Sequence, residues 1–115
     1  MSLSSNTWTQ KASELLRNLN CYRTSVQCMK EMLLDIEDEE ISDKLRQTER
    51  LISCIDLALT MLTDEERFFL EQFFINGGEN PVDDICAECM MEKSNVYRLR
   101  KKALGKFTMA MYGRI

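Results

Sequence analysis

Two cysteines three residues apart, Cys86 and Cys89, form the one CxxC spacing in this sequence, a pattern used for metal binding and thiol redox chemistry. A structural zinc site usually needs two such pairs, and a thioredoxin-type site lies in a βαβ unit. The chain has no second pair, no histidine and no glycine-rich phosphate loop. We therefore expect both thiols to be buried on one helix face, and we expect no metal, no cofactor and no enzymatic activity. The other three cysteines are expected to pack as small apolar residues of helices.

The charged residues divide the chain into segments of opposite sign. Residues 61–92 carry nine acids and a single base, whereas residues 93–115 carry seven bases and no acid, within a chain of net charge −4. An acid-free basic segment in an acidic chain indicates a local contact with a polyanion. The alternative is a solvated cationic helix face whose last bases complement the helix dipole.

The elements that position these segments are expected to be helices. The 115 residues include four glycines and one proline, and the first 76 residues contain neither. Apolar residues recur every three or four positions from Trp8 to Ile36 and again from Ile41 to Leu62, which is the heptad pattern of helices that pack along each other.

A run of acids at 35–40 separates the two heptad patterns. Acids are favourable at a helix N-terminus and unfavourable at a C-terminus, so we predict a break near 37–41 and an antiparallel helical hairpin. One continuous bent helix stays open, as does pairing of these helices with a second copy of the chain. Asn6 or Thr7 is expected to cap the first helix.

Capping signals predict three shorter helices in the second half of the chain. Thr63 and Glu66 form a capping-box pattern before a helix whose phenylalanines are expected mainly in the core. Asn80-Pro81 begins a helix over about 81–89, and a basic helix follows over about 93–111. Two short helices, a short turn and a basic helix form the helix-turn-helix arrangement. The predicted fold is all-α, with a long helical hairpin or long helix in residues 1–58 and a three-helix helix-turn-helix domain in residues 59–115.

The last helix separates on a helical wheel into an apolar side and a basic side. Its apolar side contains Val96, Leu99, Ala103, Phe107 and Ala110. In a major groove, arginine bonds guanine and asparagine bonds adenine, while lysines further along the helix meet phosphates. Arg100 points toward the apolar side and is expected to pair with an acid of one of the two preceding helices. The predicted DNA-binding residues are Lys93, Ser94, Asn95, Tyr97, Arg98, Lys101, Lys102 and Lys106.

The stretch from Leu59 to Phe107 resembles region 4 of sigma-70-type factors, over about half of the chain. The similarity lies in residues 59–67, which lead into the first helix of that region, in the spacing from Ile85 to Val96 and in the closing segment 102–107. Residues 74–77 and 96–104 look closest to short phage-type regulators of the ArpU/RinA kind. This resemblance implies promoter contacts by residues 93, 94, 95, 97 and 98. Met90 and Glu92 depart from it, because the family usually has glycine and serine there.

These observations lead to two functional hypotheses. The first is a sequence-specific transcription regulator of phage or prophage origin that binds double-stranded DNA and uses its N-terminal helices to pair two copies or to contact RNA polymerase. The alternative is a protein-interaction module, adaptor or anti-sigma-like, that keeps the fold without binding DNA. No run of about 18 apolar residues predicts a membrane span. Residues 1–5 lack the pattern of a secretion signal, so a cytoplasmic location is expected.

Overall fold

The computed structural model describes residues 7–115, which form six α-helices and no strand. The helices are α1 (Trp8–Arg17), α2 (Leu19–Asp35), α3 (Glu39–Leu59), α4 (Asp64–Leu70), α5 (Pro81–Cys89) and α6 (Lys93–Tyr112), and α4 continues into a π-helical turn over Glu71–Ile75. The predicted all-α class is confirmed. Within this range, no helix combines the length and the apolar character that a membrane crossing requires.

The first predicted helix is in fact two helices, α1 and α2, which meet at Asn18. The Asn18 side chain donates to the Glu14 carbonyl at 2.9 Å, and such a bond competes with regular helix continuation. The interruption allows α1 to pack on α6 while α2 packs on α3. Thr7 caps α1 through a capping box with Gln10. Asn6 and the segment 1–5 lie outside the described residues.

Helices α2 and α3 form the predicted hairpin. Ile36 is extended, with φ −132° and ψ 152°, and Asp38 begins α3 by accepting a hydrogen bond from the Ile41 N–H at 3.1 Å. Ion pairs Arg23–Asp56 and Lys30–Glu49 cross between the helices, at 2.9 Å and 3.4 Å. The acidic run therefore lies at the predicted break between the helices, since α2 ends at Asp35 and Asp38 caps α3.

One hydrophobic core joins the N-terminal helices to the C-terminal ones, because α1 and the end of α3 both pack on α6. The boundary at 58/59 drawn from the sequence passes through this core. Trp8 at the start of α1 contacts Tyr112 at the end of α6, with 5.1 Å between ring centroids. The core residues are Ala12, Leu16, Leu19, Ile55, Ala58, Leu62, Phe69, Leu70, Phe74, Ile85, Val96, Ala103 and Phe107.

The cysteines differ in their surroundings. Cys86 and Cys89 are half-buried against the core, so they are less enclosed than the sequence predicts. Cys21, Cys28 and Cys54 are exposed, and their expected role in packing is wrong. No cluster of three or more potential metal ligands occurs in residues 7–115.

Candidate nucleic-acid interface

Helices α5 and α6 are joined by a turn of three residues, Met90, Met91 and Glu92. Met90 has φ 55° and ψ 44°, the left-handed conformation that glycine adopts most easily. The Met91 N–H closes the turn on the Cys86 carbonyl at 3.2 Å. The methionine thus keeps a tight turn at a conformational cost of about 1–2 kcal/mol. Asn80 precedes α5 at the predicted position, but its side chain makes no capping bond.

Helix α6 buries the apolar side that the wheel predicts. Val96, Ala103 and Phe107 are fully buried, and Leu99 is partly buried. The prediction is wrong only near the C-terminal end, where Ala110 is exposed. Nearby, Thr108 is fully buried, and its hydroxyl donates to the Leu104 carbonyl at 2.7 Å.

The eight predicted DNA-binding residues lie on the surface of α6. Seven of them are exposed and Asn95 is partly buried. Arg98 donates from Nη2 to Oδ1 of Asn95 at 2.7 Å, so these two side chains form a pair at the start of the helix. Lys101 and Lys102 make no ion pair with any residue that the structure describes. The N-terminal three turns of α6 therefore present an exposed basic surface.

Arg100 does not form the predicted ion pair with a described acid. Its guanidinium lies between two aromatic rings, 5.0 Å from the centroid of Phe73 and 5.0 Å from that of Tyr97. Aromatic faces attract a guanidinium, and arginine stacks on them readily. This contact ties the exposed Tyr97 ring to the π-helical turn after α4.

Two of the predicted lysines are joined to acids of other helices. Lys93 pairs with Asp83 of α5 at 3.7 Å, and both side chains are largely exposed. Lys106 Nζ donates to Oε1 of the buried Glu66 at 2.8 Å. That bond lowers the pKa of the Glu66 carboxyl, against the effect of burial and with help from hydrogen bonds to Thr63. Lys106 is thus attached to α4, unlike the lysines one turn earlier.

Parts of the chain far apart in sequence border the basic surface. A shallow groove runs along α6 beside Arg98 and Lys101, and Thr9 of α1 and the terminal Ile115 also line it. Ile115 Cδ1 lies 3.7 Å from the position that a Cβ would occupy on Gly105. The Ile115 side chain therefore lies beside the α6 backbone at Gly105.

Sequence reasoning missed the contacts of α6 with Asp83, Glu66 and Phe73, which bind its basic side chains, and with Thr9 and Ile115, which line the groove beside it. Their positions depend on how α1, α4 and α5 pack on α6, and no local pattern encodes those contacts. Comparison of the chain with protein-family models, with curated proteins and with solved structures gives no match. The evidence for a function therefore comes from the residues of α6 and their geometry.

Proposed function

We propose that this chain is a sequence-specific, DNA-binding transcription regulator that places α6 in the major groove. In this proposal α4, α5 and α6 form a helix-turn-helix domain like region 4 of sigma-70-type factors, of the short kind found in phages and prophages. The observation that carries the proposal is the exposed basic surface on the first three turns of α6, a helix that itself contains no acid. A polyanion is the partner that such a surface attracts most strongly.

The dimensions and residue types support this docking. Helix α6 has 20 residues and is about 30 Å long, and a major groove about 12 Å wide accepts one helix. Ser94 and Arg98 stand near the N-terminal end, where base edges are reached. Lys101 and Lys102 follow one turn later, in a position suited to phosphates, which fix register without reading sequence.

The hairpin of α2 and α3 supplies the proposed second contact, with another copy of the chain or with RNA polymerase. Val26, Met29 and Thr48 are buried in the hairpin but do not belong to the shared core. The hairpin thus has packing of its own, in addition to the end of α3 that packs on α6. For a dimer, we expect half-sites about 34 Å apart, one turn of DNA.

Selection of binding sites from random duplex, followed by titration of the selected duplex, tests the proposal. Arg98→Ala is expected to cost about 1–3 kcal/mol and to relax the preference at one base pair. Arg50→Ala is the matched control, because Arg50 is an exposed arginine on α3 and is not one of the predicted DNA-binding residues. Equal affinities of wild type and both variants would show that this face of α6 does not contact DNA.

A second candidate function, the protein-interaction module, is favoured by an apolar groove between α3 and α6. Leu57, Met61 and Met109 line this groove and are 70%, 68% and 48% exposed. Contiguous exposed apolar surface of this kind marks protein-binding sites in many proteins. If wild type retards no duplex at low salt, where electrostatic binding is strongest, this second function is the better one.

A further inference from the structure

Asn95 and Arg98 lie one turn apart on α6, and their side chains are already joined in the free protein. Residues three positions apart face the same side of a helix, and here Nη2 of Arg98 donates to Oδ1 of Asn95 at 2.7 Å. Arg98 is exposed, whereas Asn95 is partly buried. The amide is therefore the more confined partner, and the guanidinium is the group that reaches outward.

We infer that Asn95 is a positioning residue that directs Arg98 toward a guanine, and that it does not itself read adenine; this inference rests on the proposed DNA-binding function. A guanidinium carries five N–H donors in a rigid plane, and the bond to Asn95 occupies one of them. The others remain for the O6 and N7 acceptors of guanine. An asparagine that reads adenine presents its oxygen and its nitrogen together to the base edge, whereas the Asn95 oxygen is directed at the Arg98 guanidinium.

The bond to Asn95 lowers the cost of ordering Arg98 on binding. A free arginine side chain has many rotamers, and the loss of that freedom opposes association. A side chain that is already held near its bound conformation loses less conformational freedom on binding. The net contribution of a typical intramolecular hydrogen bond corresponds to about a fivefold change in an equilibrium constant.

The inference is tested by a double-mutant cycle on the duplex selected by wild type. Dissociation constants are measured for wild type, Asn95→Ala, Arg98→Ala and the double variant, and each is repeated on duplexes with one base pair changed at a time. Circular dichroism and thermal melting establish that each variant is folded. When Arg98 is present, we expect Asn95→Ala to weaken DNA binding about fivefold. In the Arg98→Ala background, we expect Asn95→Ala to have no further effect.

The base-pair profile separates positioning from direct reading. We expect Asn95→Ala and Arg98→Ala to relax the preference at the same G·C pair. Asn95→Asp keeps an acceptor for Arg98 but has no donor for adenine N7, so the guanine preference is expected to survive in it. Additive losses, or relaxation at a separate A·T pair, would overturn the inference and leave the proposed function intact. A wild-type protein that prefers no duplex would overturn both.

Discussion

Replacement of Lys106 by methionine tests the contact that holds α6 to α4. Oε1 of Glu66 accepts two hydrogen bonds at 2.8 Å, one from Lys106 Nζ and one from the Thr63 N–H. Methionine keeps the aliphatic length of lysine but removes the ammonium, so a largely buried carboxylate loses its charged partner. Glu66 keeps its capping bonds to Thr63, and the start of α4 is expected to remain helical.

The expected loss of unfolding free energy in Lys106→Met lies between two limiting cases. A hydrogen bond to a charged group contributes about 1.5–3 kcal/mol, whereas an ion pair between exposed side chains contributes about 0–1 kcal/mol. The Glu66 side chain is 10% exposed but that of Lys106 is 43% exposed, so solvent weakens the attraction. We therefore expect Lys106→Met to lower the free energy of unfolding by about 1–2 kcal/mol at pH 7.

Urea denaturation at several pH values measures this loss and its origin. The fold lowers the pKa of Glu66 from its ordinary value of 4.5, so the stabilisation is complete above that value and disappears as the pH falls through the lowered one. The difference between wild type and Lys106→Met is therefore expected to shrink as the pH falls below 4.5. Lys101→Met is the control and is expected to change stability by less than about 0.5 kcal/mol. Equal stability of the two variants at pH 7, or a difference that persists in acid, would refute the role of the Glu66–Lys106 bond.

Three further substitutions test other parts of the structure. Met90→Gly removes the left-handed strain at this position but gives the unfolded chain more freedom. The net effect is expected to be a rise of about 0.5–1 kcal/mol in the free energy of unfolding, measured in urea. No gain in stability would contradict strain in this turn. Leu16→Ala is expected to lower it by about 2–5 kcal/mol in a single transition, whereas separate melting of α1 would contradict the shared core. Lys102→Ala is expected to reduce the slope of log affinity against log salt by about 0.9 for every duplex, and an effect confined to the selected sequence would contradict a phosphate contact.

The sequence predicts well those elements whose boundaries have local causes. The capping box of Thr63 and Glu66 forms as predicted, with Glu66 Oε1 2.8 Å from the Thr63 nitrogen. Pro81 begins α5, and α6 begins at Lys93, as their local signals indicate. The break at Asn18 has a weaker local signal, a single asparagine whose side chain bonds the Glu14 carbonyl. A heptad pattern continues through that position, and it does not reveal that α1 packs on α6 while α2 packs on α3.

The sequence could predict which face of α6 is exposed, but not the contacts that its side chains make with other helices. A helical wheel separates the exposed Arg98 and Lys101 from the buried Val96, because that division depends on periodicity alone. It cannot reveal that Arg100 lies against Phe73, which is 27 residues away on another helix. Nor can it reveal that Glu66 engages Lys106, since charge alone allows many pairings among the acids of residues 61–92.

The charge of the remaining chain bears on how α6 would find its site under the proposed function. With seven bases in residues 93–115 and a net charge of −4, residues 1–92 carry −11. At physiological salt, charges more than about 8 Å from the DNA are largely screened, so most of the α2–α3 hairpin has little effect in a molecule 54 Å long. Asp83 is different, because it lies 3.7 Å from Lys93 and partly neutralises the first turn of α6. Weak binding to random duplex is therefore expected at physiological salt. At physiological salt, comparison of a selected sequence with random duplex complements the retardation test at low salt in deciding between the two candidate functions.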